Sequence, residues 1–225
     1  MSALIWTTTP WTLPANLALS FHPATDYAVV SPDGSGQGEL LIVAQPMLEQ
    51  VAWKMGWEQH KVVAVLPGRA FDRVKFRHPF LDRDSLGLLG EHVTMEQGSG
   101  IVHTAPGHGM EDYIVGEKYG IGVLCPVDGR GRFEPGDMPY SGQSVFDANP
   151  LVIELLKQRG ALVHTEPLSH SYPHCWRCRK PVIYRATEQW FINLNHNNLR
   201  GRALEEIRKT DRKSTRLNSS HVALS

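Results

Sequence analysis

Short apolar runs separated by turn formers dominate the first 165 residues of this chain, and one clear helical stripe interrupts them. The runs at 27–30 and 40–44 read as two strands, and the intervening SPDGSGQG, made of turn residues, joins them as a hairpin. From Pro46 the spacing changes: Met47, Leu48, Val51, Ala52 and Met55 recur at helical intervals until Gly56, which predicts a helix with an apolar core face. Residues 61–66 predict another strand, 71–84 an irregular charged segment around His78-Pro79 with no assigned chemistry, and 121–126 a buried strand holding Cys125 as a packed thiol. Residues 128–142 are rich in Gly and Pro and predict a surface loop. Asp147-Ala148-Asn149-Pro150 then predicts a helix cap, with Leu151, Ile153, Leu155 and Leu156 on the helix, Gly160 as its stop, and a strand at 161–164.

Two segments resist a pattern reading. Residues 4–16, LIWTTTPWTLPAN, combine consecutive threonines, which favour a strand, with Pro10 and Pro14, which confine it to a sheet edge running into a turn. The same hydroxyls also suit a ligand. Residues 98–113, GSGIVHTAPGHGMEDY, predict a short strand at Ile101-Val102, a turn through Pro106, Gly107 and Gly109, and a helix opened by Glu111-Asp112 and running to Tyr119. A strand end, a loop and a helix start meeting there aim His103 and Asp112 into one cleft beside unpaired backbone N–H groups.

Composition narrows the class. The 225 residues, 41% hydrophobic, suffice for one large domain or a domain and part of another. No run approaches a membrane span, the first residues lack the charged leader of a secretory signal, and three cysteines form no disulfide framework, so a soluble cytoplasmic protein is expected. Residues 211–221, DRKSTRLNSSH, resemble the translated read-through of a sequencing adapter and are set aside; without that segment 20 basic residues face 22 acidic ones, a net of −2. Such a balance carries no global signature of nucleic-acid binding, so an RNA partner needs local contacts.

Past residue 165 the texture changes to SHSYPHCWRCRKPVIYRATEQWF, with a strand expected at 182–184. Cys175 and Cys178 have the spacing with which two thiolates grip one zinc, half of the four ligands a structural site needs; His170 or His174 could supplement it, or a second cysteine pair could lie outside the sequence. Gly98-Ser99-Gly100 lacks the third glycine of a dinucleotide fingerprint.

Together, TTTPWTLPAN at 7–16, GSGIVHTAPGHGMEDY at 98–113 and HSYPHCWRC at 170–178 resemble isoleucyl-tRNA synthetases of bacterial type, over nearly the whole chain short of the tail. The related valine and leucine enzymes carry similar Thr-rich and GTG-like segments, but Trp11-Thr12-Leu13-Pro14-Ala15-Asn16 and His103-Thr104-Ala105-Pro106 favour the isoleucine type; Ser99 stands in place of a usual threonine and keeps the hydroxyl. The resemblance implies a mixed α/β (α+β) fold: a β-barrel-like editing domain over 1–165, then a truncated return to the class I catalytic domain over 166–210. The synthetic signatures His-Ile-Gly-His and Lys-Met-Ser-Lys-Ser are absent from this sequence, so no activation of isoleucine is expected from it.

The implied reaction is hydrolysis of valine misattached to the 3′ end of isoleucine tRNA, because one methylene discriminates by only about 1 to 3 kcal/mol in an apolar pocket; double-sieve editing by this enzyme class is the standard illustration of that limit. The resemblance makes Thr9, Asn16 and Asp112 the catalytic group, with Thr9 and Asn16 holding the water and Asp112 the substrate ammonium. Thr7, Thr8, Thr12 and His103 would bind substrate, His103 as the wall that admits valine and rejects isoleucine. No cofactor is expected for editing, and zinc at Cys175 and Cys178 would be structural. ATP and magnesium would belong to the full-length enzyme, tRNA would be the partner, and the protein would be a monomer away from membranes. Two other readings compete: a metal-dependent hydrolase built on His103, His108 and Asp112, and a noncatalytic RNA-binding or zinc-knuckle module on Cys175 and Cys178.

Overall fold

The computed structural model describes residues 1–36, 38–169 and 171–210, so the adapter-like tail and His170 lie outside the described residues. In chain order the elements are β1 (Ser2–Ala3), a 3-10 turn (Pro10–Ala15), β2 (Ala18–Phe21), β3 (Asp26–Ser31), β4 (Leu41–Ala44), α1 (Leu48–Met55), β5 (Lys61–Pro67), β6 (Lys75–Arg77), β7 (Asp84–Leu89), β8 (Ile101–Thr104), α2 (Met110–Tyr119), α3 (Val145–Gln158) and α4 (Leu199–Lys209). Eight strands form two four-stranded sheets, ordered β1-β4-β3-β5 and β6-β7-β2-β8. The mixed α/β class is as expected. The barrel is not: among the described residues the sheets stay separate, with β5 and β1 at the edges of one and β6 and β8 at the edges of the other.

The two sheets share a core of Leu19, Phe21, Tyr27, Ile42, Val43, Phe71 and Ile101, in which Phe21 and Phe71 stack with ring centroids 4.6 Å apart. The predicted hairpin is present as the antiparallel pair β3 and β4, in register from Tyr27 opposite Ala44 to Val30 opposite Leu41. Helix α1 ends as read, with Gly56 in the left-handed conformation at φ +66°. A second core joins Trp11 and Leu13 of the 3-10 turn to Phe80, Val127, Phe133, Tyr140 and the inner face of α3. This second core anchors the threonine segment.

Several local expectations fail for identifiable reasons. Residues 4–16 form no edge strand: with Pro10 opening it, the chain closes into a 3-10 turn through the bonds Thr12 N–H to Thr9 O and Asn16 N–H to Leu13 O. Residues 121–126 and 161–164 pair with nothing in a ladder, and Val123 and Val163 are exposed. The 128–142 loop is more than surface, since it carries Phe133 and Tyr140 into the second core. Helix α3 starts at Ser144, not at Asp147: Ser144 caps the Asp147 amide, Pro150 falls inside the helix, and Asn149 instead accepts a hydrogen bond from the Trp11 amide at 3.0 Å. No strand forms at 182–184 beyond the isolated bridge of His174 with Pro181.

The chain divides into two compact units, Met1–Ala186 and Thr187–Ser225. Residues 184–186 are tied into the first unit by His108 Nδ1 on the Tyr184 carbonyl, Arg185 Nε on the Val127 carbonyl and the Ala186 amide on the Gly107 carbonyl. The described part of the second unit contains α4, with Trp190, Phe191 and Ile192 exposed before it. Among the described residues no helix is long and apolar enough to cross a membrane.

Candidate active site

Two loops that sequence reading singled out separately meet in space. Strand β2 follows directly on the 3-10 turn and pairs antiparallel with β8, setting Leu19 opposite His103 and Ala18 opposite Thr104. The ladder therefore fixes Thr12 and Asn16 against His103. Thr12 Oγ1 lies 2.9 Å from His103 Nε2, and Asn16 Nδ2 lies 3.4 Å from its Nδ1. Both Asn16 and His103 are buried, and burial, with lesser contributions from His78 and His108, pushes the His103 pKa down to about 4. His103 is therefore a neutral ring with both nitrogens engaged.

Thr7, Thr9 and Thr12 cluster ahead of it. The Thr9 amide donates to Thr7 Oγ1 at 3.1 Å, Thr12 Oγ1 donates to the Thr9 carbonyl at 2.8 Å, and the hydroxyls of Thr7 and Thr12 stand 3.4 and 3.5 Å from that of Thr9. Thr8 is exposed and outside this network. Both polar atoms of the Asn16 amide are engaged: its nitrogen donates to the Ala18 carbonyl at 2.8 Å and lies 3.4 Å from His103 Nδ1, and its oxygen accepts from Ser85. It holds the floor of the site.

Beyond β8 the backbone turns through Ala105, Pro106 and Gly107 into α2. Gly107 is required there, since a Cβ would sit 2.1 Å from the Leu124 carbonyl oxygen. Asp112, in the first turn of α2, does not cap its own helix; its Oδ2 turns back to accept the Ala105 amide at 2.8 Å. Its carboxylate is held at the loop that follows His103. Burial raises the Asp112 pKa, opposed by the Ala105 bond and by the charge of His92. His108 donates Nδ1–H to the Tyr184 carbonyl at 2.9 Å and meets Trp11 edge-on at 4.9 Å, while its Nε2 is buried without a partner; burial lowers its pKa.

Residues 77–85 support the threonine turn from behind; all but Ser85 fall in the 71–84 segment, read from sequence as irregular and without chemistry. His78 donates Nε2–H to the Leu13 carbonyl at 3.0 Å while its Nδ1 accepts the Phe80 and Leu81 amides, Arg83 donates to the Pro14 carbonyl, and Ser85 donates to Asn16. No sequence pattern marks the contacts to Leu13, Pro14 and Asn16, because each spans at least 65 residues. A cavity of about 330 Å³ is lined by Trp6, Thr94, Glu96, Gln97 and residues 99–102. Gly100, at φ +71°, lets that wall approach Ala44.

The chain is 49% identical over 207 residues to the isoleucine–tRNA ligase of Shewanella oneidensis, and 48% identical over 210 residues to that of Shewanella sp. strain MR-4. This chain is a homologue of one segment of isoleucine–tRNA ligase. The match takes in 92% and 93% of the chain but only 22% of each relative's length. No family model matches. Among solved structures, GlLeuRS-CP1 superposes with a TM-score of 0.58 at 20% identity, covering 74% of this chain and 84% of that one. The editing domain of the P. knowlesi cytosolic leucyl-tRNA synthetase superposes at 0.54 and 11% identity, covering 70% and 81%. The chain thus shares the fold of these two leucyl-tRNA synthetase structures.

The metal-hydrolase arrangement does not assemble. Both ring nitrogens of His103 are engaged by Thr12 and Asn16, and the described residues contain no group of three His, Cys, Asp or Glu placed to hold an ion. Cys175 and Cys178 are free thiols, and the amides of Cys178 and Arg177 directed at Cys175 lower its pKa.

Proposed function

We propose that this site hydrolyses the ester joining misattached valine to the 3′ end of isoleucine tRNA. One observation carries the reading: the Thr12 to His103 hydrogen bond of 2.9 Å ties a cluster of threonine hydroxyls to the strand that leads into the loop anchoring the Asp112 carboxylate. An aminoacyl ester is already activated, so water needs only orientation and the substrate only fixed ends. Asp112 receives the free α-ammonium through the oxygen that Ala105 does not use, a charge-assisted contact. Thr7, Thr9 and Thr12 hold the ester and the water, with Thr8 at the exposed margin. His103, immobilised and neutral, is the wall against the longer side chain, and Trp6, one residue before the threonines, offers an aromatic face to the terminal base.

On this reading residues 1–165 are the editing domain and 166–210 begin the return to the catalytic domain of a cytoplasmic, monomeric enzyme. ATP and magnesium belong to that larger protein, and editing itself uses no cofactor. Cys175 and Cys178 supply half of a structural zinc site whose other ligands lie elsewhere in the full enzyme. The test is deacylation of valyl-tRNA for isoleucine by this chain with and without a strong chelator. Equal rates in both, well above spontaneous hydrolysis, are expected; loss of activity with the chelator would return the case to a metal-dependent hydrolase.

A further inference from the structure

Ser85 lies in strand β7, buried, with its hydroxyl on Asn16 Oδ1. The proton positions beyond it follow by elimination. The Ala18 carbonyl, 2.8 Å from Asn16 Nδ2, can only accept, so the amide nitrogen faces Ala18, its oxygen faces Ser85, and Ser85 donates. The remaining Nδ2 proton points to His103 Nδ1 at 3.4 Å. From the opposite end, the single proton of Thr12 goes to the Thr9 carbonyl at 2.8 Å, so the 2.9 Å contact with His103 must carry the ring's Nε2 proton. A neutral ring has one N–H, which leaves Nδ1 as the acceptor that Asn16 requires. Both ends give the same answer.

We propose that Ser85 is a positioning residue for the editing site, which acts through Asn16 to hold His103 in the Nε2–H tautomer and Thr12 turned onto the Thr9 carbonyl. With its proton engaged there and its oxygen accepting from His103, Thr12 meets the Thr9 hydroxyl, 3.5 Å away, only as an acceptor. In that contact the Thr9 hydroxyl is the donor, and its oxygen is left to accept from the Thr7 hydroxyl, 3.4 Å away, and from the attacking water. The tautomer follows from the hydrogen bonds alone, whereas its catalytic consequence rests on the editing reading.

Nitrogen-15 NMR of the full chain labelled in histidine, with the His103 signals assigned by their loss in His103→Gln, reads the tautomer directly. Wild type is expected to show neutral His103 protonated on Nε2. In Ser85→Ala the buried Asn16 oxygen has no donor, so the amide leaves its bond to Ala18 to recover one; His103 Nδ1 is then released, Thr12 is free to turn its proton onto the ring, and a mixture of tautomers with roughly tenfold lower kcat for valyl-tRNA at unchanged KM is expected. Ser85→Thr, which keeps the donor, should restore both. Wild-type His103 protonated on Nδ1 overturns the proposal whether or not Ser85→Ala folds, and so does an unchanged tautomer or rate in Ser85→Ala when the wild type is active. A tautomer that responds as stated in a chain that never hydrolyses valyl-tRNA upholds the role of Ser85 in fixing His103 and rejects editing.

Discussion

Asp112 is held by one oxygen and open at the other, and that asymmetry decides what its amide would do. In Asp112→Asn the Ala105 amide, 2.8 Å from Oδ2 in the wild type, still requires an acceptor, so the new amide must present oxygen to Ala105 and N–H₂ to the substrate ammonium. Donor then faces donor. The variant should keep its urea midpoint and lose roughly 10- to 100-fold in kcat/KM for valyl-tRNA, the range for a hydrogen bond to a charged group. A rate near wild type would remove Asp112 from substrate binding. The carboxylate and its neighbouring histidine were legible in sequence because strand, turn and helix cues converged on 98–113. The role of Asn16 as an internal brace was not, because its partners Ser85 and His103 lie 69 and 87 residues away.

Among the elements, α1 and α2 were read well, whereas β2, β6, β7 and α4 were missed and α3 was started too late. Helix α1 declares itself by its apolar stripe and Gly56, but β2 has only four residues, all buried, and offers no alternation to detect. Residues 121–126 failed in the opposite direction: an apolar run read as a strand proves to be unpaired backbone packed on the site loop, with the Leu124 carbonyl against Gly107. That contact makes a prediction at this scale. Gly107→Ala puts a methyl 2.1 Å from a backbone oxygen that cannot rotate away, so the β8–α2 connection must shift. A loss of roughly 1 to 3 kcal/mol in urea denaturation is expected, and unchanged stability would mean that the loop does not pack as described.

At the scale of the whole molecule, two buried histidines make stability depend on pH. Burial lowers the pKa values of His78 and His103 to about 4, against 6.5 for an unburied histidine. The unfolded chain therefore binds more protons between those values, so the stabilisation is complete above pH 6.5 and is lost as pH falls toward 4, by up to about 1.4 kcal/mol per pH unit for each ring. The raised pKa of Asp112 works in the opposite direction over part of this window. Urea midpoints at a series of pH values should fall steeply below 6.5, and more gently in His78→Gln; a flat profile would show that the rings are not buried as neutral groups.

The central claim is a pocket that accepts valine and excludes isoleucine by means of a fixed His103. It is tested most directly by paired deacylation of valyl- and isoleucyl-tRNA, both on isoleucine tRNA, by the wild-type chain and His103→Ala. The account predicts hydrolysis of the valyl ester alone by the wild type and of both esters by the variant. Equal hydrolysis of the two esters by the wild type, or undiminished selectivity in His103→Ala, would contradict it.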